Sequence, residues 1–179
     1  DAMKASGDKF VMITAYDATF ARLASEAGAE TILVGDSLGM VLQGHETTIP
    51  VSLDAMVYHT ECVARAKPRS LIVADLPFMS FSNPDDALHA STQLMQAGAQ
   101  MVKLEGGTWL SDSINRLVER GVPVCAHLGL TPQSVNVFGG YRVQGRTPKA
   151  AKSILADAVE IQDAGASLLV LECIPAELA

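Results

Sequence analysis

One motif recurs along the chain: a small-residue turn, then an apolar run that ends in a polar group. It reads EAGAETILVGD at 26–36, QAGAQMVKLEG at 96–106 and DAGASLLVLEC at 163–173, with a looser copy, ERGVPVCAHLG, at 119–129. In each copy a glycine suits the end of a helix and the apolar run suits the strand that follows. Six such runs are present, at 10–16 (FVMITAY), 31–35 (TILVG), 70–74 (SLIVA), 100–105 (QMVKLE), 123–127 (PVCAH) and 167–172 (SLLVLE). Most are almost continuously hydrophobic, the pattern of parallel strands covered on both faces.

The segments between them carry helix signals. Asn83-Pro84-Asp85-Asp86 combines an N-cap, a proline at the first helical position and two acids at the positive end of the helix dipole, and Thr147-Pro148 repeats the first two features. Ala87, Leu88, Ser91, Leu94, Met95 and Gly98 share one helical face, and Ala151, Ile154, Leu155 and Ala158 share another. Repeated βα units with right-handed crossovers leave two architectures, a doubly wound open sheet and a (β/α)8 TIM barrel. Length favours the open sheet, since barrels usually need about 250 residues. The strand ends favour the barrel. Five of the six carry a polar or ionisable group: Asp36, Asp75, Lys103 with Glu105, His127, and Glu172. An open sheet gathers ligand groups from two or three strands at a switch point, whereas a barrel gathers them from nearly all. The chain is therefore read as one barrel domain over 1–179, incomplete at the C-terminus, supplying about six of eight βα units.

Composition narrows the function. Of 179 residues 49% are hydrophobic and 18% charged, with 20 acids against 13 bases and a net charge of −7. A chain of this size buries roughly 70% of its unfolded surface, which excludes intrinsic disorder. The acidic balance, with a pI near 5.0, repels polyanions, so neither nucleic acid nor an anionic membrane is an expected partner. The mean hydropathy of +0.23 is high, yet no apolar run reaches the ~18–20 residues of a bilayer span. Cys62, Cys125 and Cys173 are an odd set without CxxC spacing, as expected of reduced thiols. The chain starts at Asp1 with no secretory or Arg-rich leader in view, so the expected location is cytoplasmic.

Asp36, Asp75 and Glu105 are far apart in sequence and are brought together by the fold. Clustered carboxylates repel unless a cation lies between them, and their hard oxygens suit Mg2+; the competing reading is solubilising or capping acids. No HxxxH or CxxC cluster favours zinc. Lys103 shares a strand face with Glu105, either as a structural ion pair or to contact an anionic substrate. Glu172 reads equally as a general base whose pKa is raised by burial or as a capping, salt-bridged acid. His127 is placed to hydrogen-bond a substrate oxygen, whereas His45, His59 and His89 read as surface or packing residues. Gly106-Gly107 and Gly139-Gly140 fit no nucleotide fingerprint and read as turns. The long loops 37–50 and 128–146 fall on the active-site face as lids or oligomer contacts. Together these residues point to a metal-assisted barrel acting on a small anion.

The blocks ITAYD (13–17), VGDSLGMVLQGHETTIPV (34–51), ADLPFMS (74–80), MVKLEGG (101–107), VPVCAHLGLTPQSVNVFGGYRVQGR (122–146) and LLVLECIP (168–175) resemble the ketopantoate hydroxymethyltransferase family across essentially the whole chain. The resemblance implies a Mg2+-dependent barrel related to phosphoenolpyruvate mutase and isocitrate lyase, assembled as a homo-oligomer, usually a decamer. It implies hydroxymethyl transfer from 5,10-methylenetetrahydrofolate to the 2-oxo acid 3-methyl-2-oxobutanoate through a Mg2+-stabilised enolate, in pantothenate and coenzyme A biosynthesis. Matched position by position, it implies metal binding by Asp36, Asp75 and Glu105, oxo-acid contacts from Asp36, Ser37, Asp75, Lys103 and His127, and proton acceptance by Glu172. Family members continue through two further βα units.

Overall fold

The computed structural model describes residues 2–179. In chain order its helices are α1 (Ala2–Ser6), α2 (Ala18–Glu26), α3 (Leu38–Val41), α4 (Leu53–Arg65), α5 (Pro84–Gln96), α6 (Ser111–Glu119), α7 (Val135–Phe138) and α8 (Pro148–Asp163). Its strands are β1 (Met12–Thr14), β2 (Thr31–Val34), β3 (Leu71–Asp75), β4 (Met101–Glu105), β5 (Val124–Gly129) and β6 (Leu168–Glu172). All six strands pair in parallel and in sequence order, β1 to β6, forming a curled half-barrel with its helices outside. The order shows the barrel rather than the doubly wound alternative, in which the chain would reverse across the sheet. No helix among the described residues is long and apolar enough to cross a membrane.

The helix starts follow from the caps. Asp17 Oδ1 accepts from the backbone N–H groups of Thr19 and Phe20, Ser52 Oγ from Ala55, Asn83 Oδ1 from Asp85 and Asp86, and Thr147 Oγ1 from Ala150. The repeated glycines end helices. Gly28, Gly98, Gly121 and Gly165 have φ between +82° and +112°, a region that side chains resist. The residue after each returns an N–H to a carbonyl one turn back: Ala29 to Ala24, Ala99 to Leu94, Val122 to Leu117 and Ala166 to Ile161. This is one helix-to-strand joint used four times.

Two apolar layers result. The larger lies between sheet and helices around Ile32, Val34, Met56, Leu76, Leu94, Leu104, Ile114, Leu117 and Ala126. A smaller one, Val73, Met101 and Cys125 with Leu33 and Val170 against it, lines the inner face of the sheet. Strand side chains alternate, so the inner-face residues two positions on from Val73, Met101, Cys125 and Val170 are Asp75, Lys103, His127 and Glu172.

Coverage is uneven. The central strands β2 to β5 are buried at all but one position at most in each, but β1 and β6, at the two sides of the sheet, are mostly half-buried or exposed. β1 is also shorter than the apolar run at 10–16, because only its middle finds a partner in β2. Along α8 the expected face divides: Ile154 and Ala158 pack on the core, Ile161 is buried, and Leu155 is exposed because α8 has neighbours on one flank only.

Candidate active site

The strand ends meet in one buried cluster. Strand register sets Asp75 beside Lys103 and Glu105 beside His127, and Gly129 beside Glu172. Asp36 follows β2, and its backbone N–H donates to Asp75 Oδ2 at 3.1 Å. Lys103 Nζ lies 2.6 Å from Asp75 Oδ1 and 3.9 Å from Glu105 Oε1. The imidazole of His127 has Nδ1 3.5 Å from Glu105 Oε1 and 3.4 Å from Lys103 Nζ, and Nε2 3.4 Å from Glu172 Oε2. Asp36, Asp75, Lys103, Glu105 and His127 are each no more than 5% exposed, so their charges must compensate one another. Glu172 stands at the rim, its side chain 40% exposed.

The electrostatics follow from that burial. Asp36 is pushed up to about 7, first by loss of water and then by the facing charges of Asp75 and Glu105; Lys103 and Gln133 oppose the rise. Burial likewise raises Asp75, although Lys103 pulls against it. Lys103 moves the other way to its own burial: the surrounding carboxylates hold it charged, above the usual lysine range. His127 is depressed by burial, but its contacts with Glu105 and Glu172 outweigh this and raise it.

The sequence leaves two readings of Glu172 open, a base raised by burial or a salt-bridged acid, and its protonation follows the second: hydrogen bonding to His127 stabilises the charged form and lowers its pKa, outweighing the rise from burial.

Each site residue expected from the sequence falls in or at the edge of this cluster. Ser37 is at the edge, its Oγ sharing a 2.9 Å hydrogen bond with the Tyr16 hydroxyl. His45 and His89 are exposed, and half-buried His59 donates from Nδ1 to the Tyr16 carbonyl at 2.8 Å, steadying that tyrosine. The loop 37–50 contains α3 and the loop 128–146 contains a 3-10 turn (Pro132–Ser134) and α7, and the Tyr141 hydroxyl of the second contacts Met40 Sδ of the first at 3.5 Å.

Two participants had no sequence signal of their own, Tyr16 and Gln133. Gln133 sits in the 3-10 turn, 6% exposed. Its backbone N–H donates to Glu105 Oε2 at 3.0 Å, and Nε2 donates to Asp36 Oδ2 at 2.8 Å and the Leu76 carbonyl at 2.9 Å. A polar residue in the long loop after a strand bearing His127 was the only available hint.

The donor set fits a hard dication in composition. Three carboxylates face one ammonium, and Asp36 Oδ1 accepts no hydrogen bond among the described residues. No three His, Cys, Asp or Glu groups among the described residues stand ready to coordinate a metal as placed. Lys103 occupies Asp75 Oδ1 and Gln133 occupies one oxygen each of Asp36 and Glu105.

A sequence profile of the ketopantoate hydroxymethyltransferase family matches residues 1–179. The chain belongs to this family. Similar relatives include the 3-methyl-2-oxobutanoate hydroxymethyltransferases of Marinobacter nauticus, 61% identical over 98% of this chain and 67% of the relative, and of Burkholderia vietnamiensis, 62% identical over 97% and 64%. The chain thus spans about two thirds of the length of the family members it matches. The fold is shared with 2,3-dimethylmalate lyase, a PEP mutase/isocitrate lyase superfamily member, at TM-score 0.68, 18% identity, and 96% and 61% coverage of this chain and that one. Phosphonopyruvate hydrolase gives TM-score 0.73 at 16% identity, with 96% and 60% coverage. These folds agree with a partial barrel in this member of the family.

Proposed function

We propose that the protein containing this chain transfers the one-carbon unit of 5,10-methylenetetrahydrofolate to 3-methyl-2-oxobutanoate as a hydroxymethyl group, with water supplying the hydroxyl oxygen, giving ketopantoate and tetrahydrofolate. What carries this reading is that relatives named for that activity match nearly the whole chain at 61–62% identity. The buried cluster supplies groups suited to it. Asp36, Asp75 and Glu105 would hold Mg2+, which when bound supplies positive charge against the charge developing on the oxo acid's carbonyl oxygen. Lys103, held as an ammonium, attracts the substrate carboxylate. Ser37, oriented by Tyr16, and His127 hydrogen-bond its oxygens. Glu172, ionised and at the rim, takes the C3 proton, and the electron pair of that C–H bond forms the new bond to the one-carbon unit. The two bonds of that carbon to folate nitrogens are replaced by this C–C bond and by a C–O bond to water, releasing tetrahydrofolate. His127 faces Glu172 and holds its carboxylate in place. The reading includes a homo-oligomer, a decamer by resemblance, in the cytoplasm; the three unpaired cysteines suit a reducing compartment.

The test is exchange of the C3 proton of 3-methyl-2-oxobutanoate in D2O, followed by proton NMR with the full-length gene product and Mg2+ but no folate. Exchange is expected to stop on chelation and to fall ~10²–10⁴-fold in Glu172→Gln, the usual contribution of a positioned base. Absence of exchange in the unmodified protein would sink the mechanism.

A further inference from the structure

We propose that Gln133 is the positioning residue of the carboxylate cluster, setting which oxygen of Asp36 and which of Glu105 remain available. This rests on the reading that the cluster holds a divalent cation. A single residue in the loop after β5 binds acids from two other strand ends: its backbone N–H takes Glu105 Oε2 at 3.0 Å, and its amide nitrogen takes Asp36 Oδ2 at 2.8 Å. The amide orientation is fixed. Nε2 faces two acceptors, Asp36 Oδ2 and the Leu76 carbonyl at 2.9 Å, and a flipped amide would set oxygen against both. With the amide nitrogen on Asp36 Oδ2, Asp36 Oδ1 is left open; with the backbone N–H on Glu105 Oε2, Glu105 Oε1 is left facing Lys103 and His127. The oxygens of Asp75 are already assigned, Oδ2 to the Asp36 N–H and Oδ1 to Lys103. Gln133 therefore completes a scheme in which each carboxylate is turned one way only. Its burial removes the competing water that would let the amide rotate. The loop is tied to the site by the same bonds, across 97 residues of sequence to Asp36.

The test uses Mn2+ alone as the probe, with the full-length protein and free Mn2+ measured by electron paramagnetic resonance. Gln133→Met, similar in length but without a donor, is expected to weaken Mn2+ binding ~10–100-fold, as other groups that orient metal ligands do. A merely structural role would make this loss add to that of Asp36→Asn. A positioning role makes the double variant bind about as weakly as Asp36→Asn alone. Unchanged affinity in Gln133→Met, or full additivity, overturns the proposal. If Gln133→Met does not fold by circular dichroism, Gln133→Asn keeps the amide but is too short to span Asp36 and Leu76, and must show the same loss. Failure of the unmodified protein to bind Mn2+ would instead overturn the cation reading beneath it.

Discussion

Among the described residues Lys103 is the only ammonium paired with the cluster of three buried carboxylates, and its replacement tests how far the cluster depends on it. Lys103→Met keeps the length of the side chain and strands Asp75 without its 2.6 Å partner. Loss of about 3–5 kcal/mol in urea unfolding is expected, the usual cost of removing one partner of a buried pair. A second contrast concerns the thiols. Burial pushes Cys125 up to about 12, so at pH 8 it stays a protonated thiol, whereas Cys173 is exposed. Dithionitrobenzoate is expected to label Cys173 in the native chain, and Cys125 only after unfolding. The charged residues were legible in the sequence because a carboxylate or lysine closing an apolar run has few other uses. The protonation of Glu172 was not, since it depends on the His127 imidazole 45 residues earlier in the chain and on rim exposure that spacing does not encode. Gln133 was hidden for a similar reason: an amide in a loop announces nothing until the loop's path brings it to Asp36.

Among the elements, the junction of β5 and β6 is the tightest. Gly129 has φ +88°, and a Cβ there would overlap the Glu172 carbonyl and meet Ile174 Cγ2 at 2.7 Å. Gly129→Ala therefore strains its own backbone, at about 1–3 kcal/mol, and pushes against the residue assigned as proton acceptor. The expected outcome is a lowered thermal midpoint together with a C3–H exchange rate that falls more than global stability explains. A variant that is less stable but exchanges normally would separate the strand junction from Glu172. Helix starts were readable from single caps such as Asn83 and Thr147, because the capping bond is local. The exposed Leu155 of α8 was not, because helical periodicity states which residues share a face and not whether that face has a neighbour.

For the whole molecule, the number of strand ends bearing polar groups distinguished a barrel from an open sheet when length pointed the other way. The half-barrel leaves β1 and β6 each paired on one side, and Leu169 of β6 is 39% exposed. Such an edge is a template for another chain. Residues 1–179 produced by themselves are expected to self-associate in size-exclusion chromatography with light scattering, and Leu169→Lys to reduce the associated fraction. The strict pairing of strands in sequence order also bears on synthesis. As the chain leaves the ribosome, each new strand finds its neighbour already made, so no strand must wait for a distant partner. The charges mature on the same schedule: Asp36 and Asp75 emerge before Lys103, and the nascent sheet carries two acids with no cation until the fourth strand brings Lys103 to pair with Asp75, together with the third acid, Glu105.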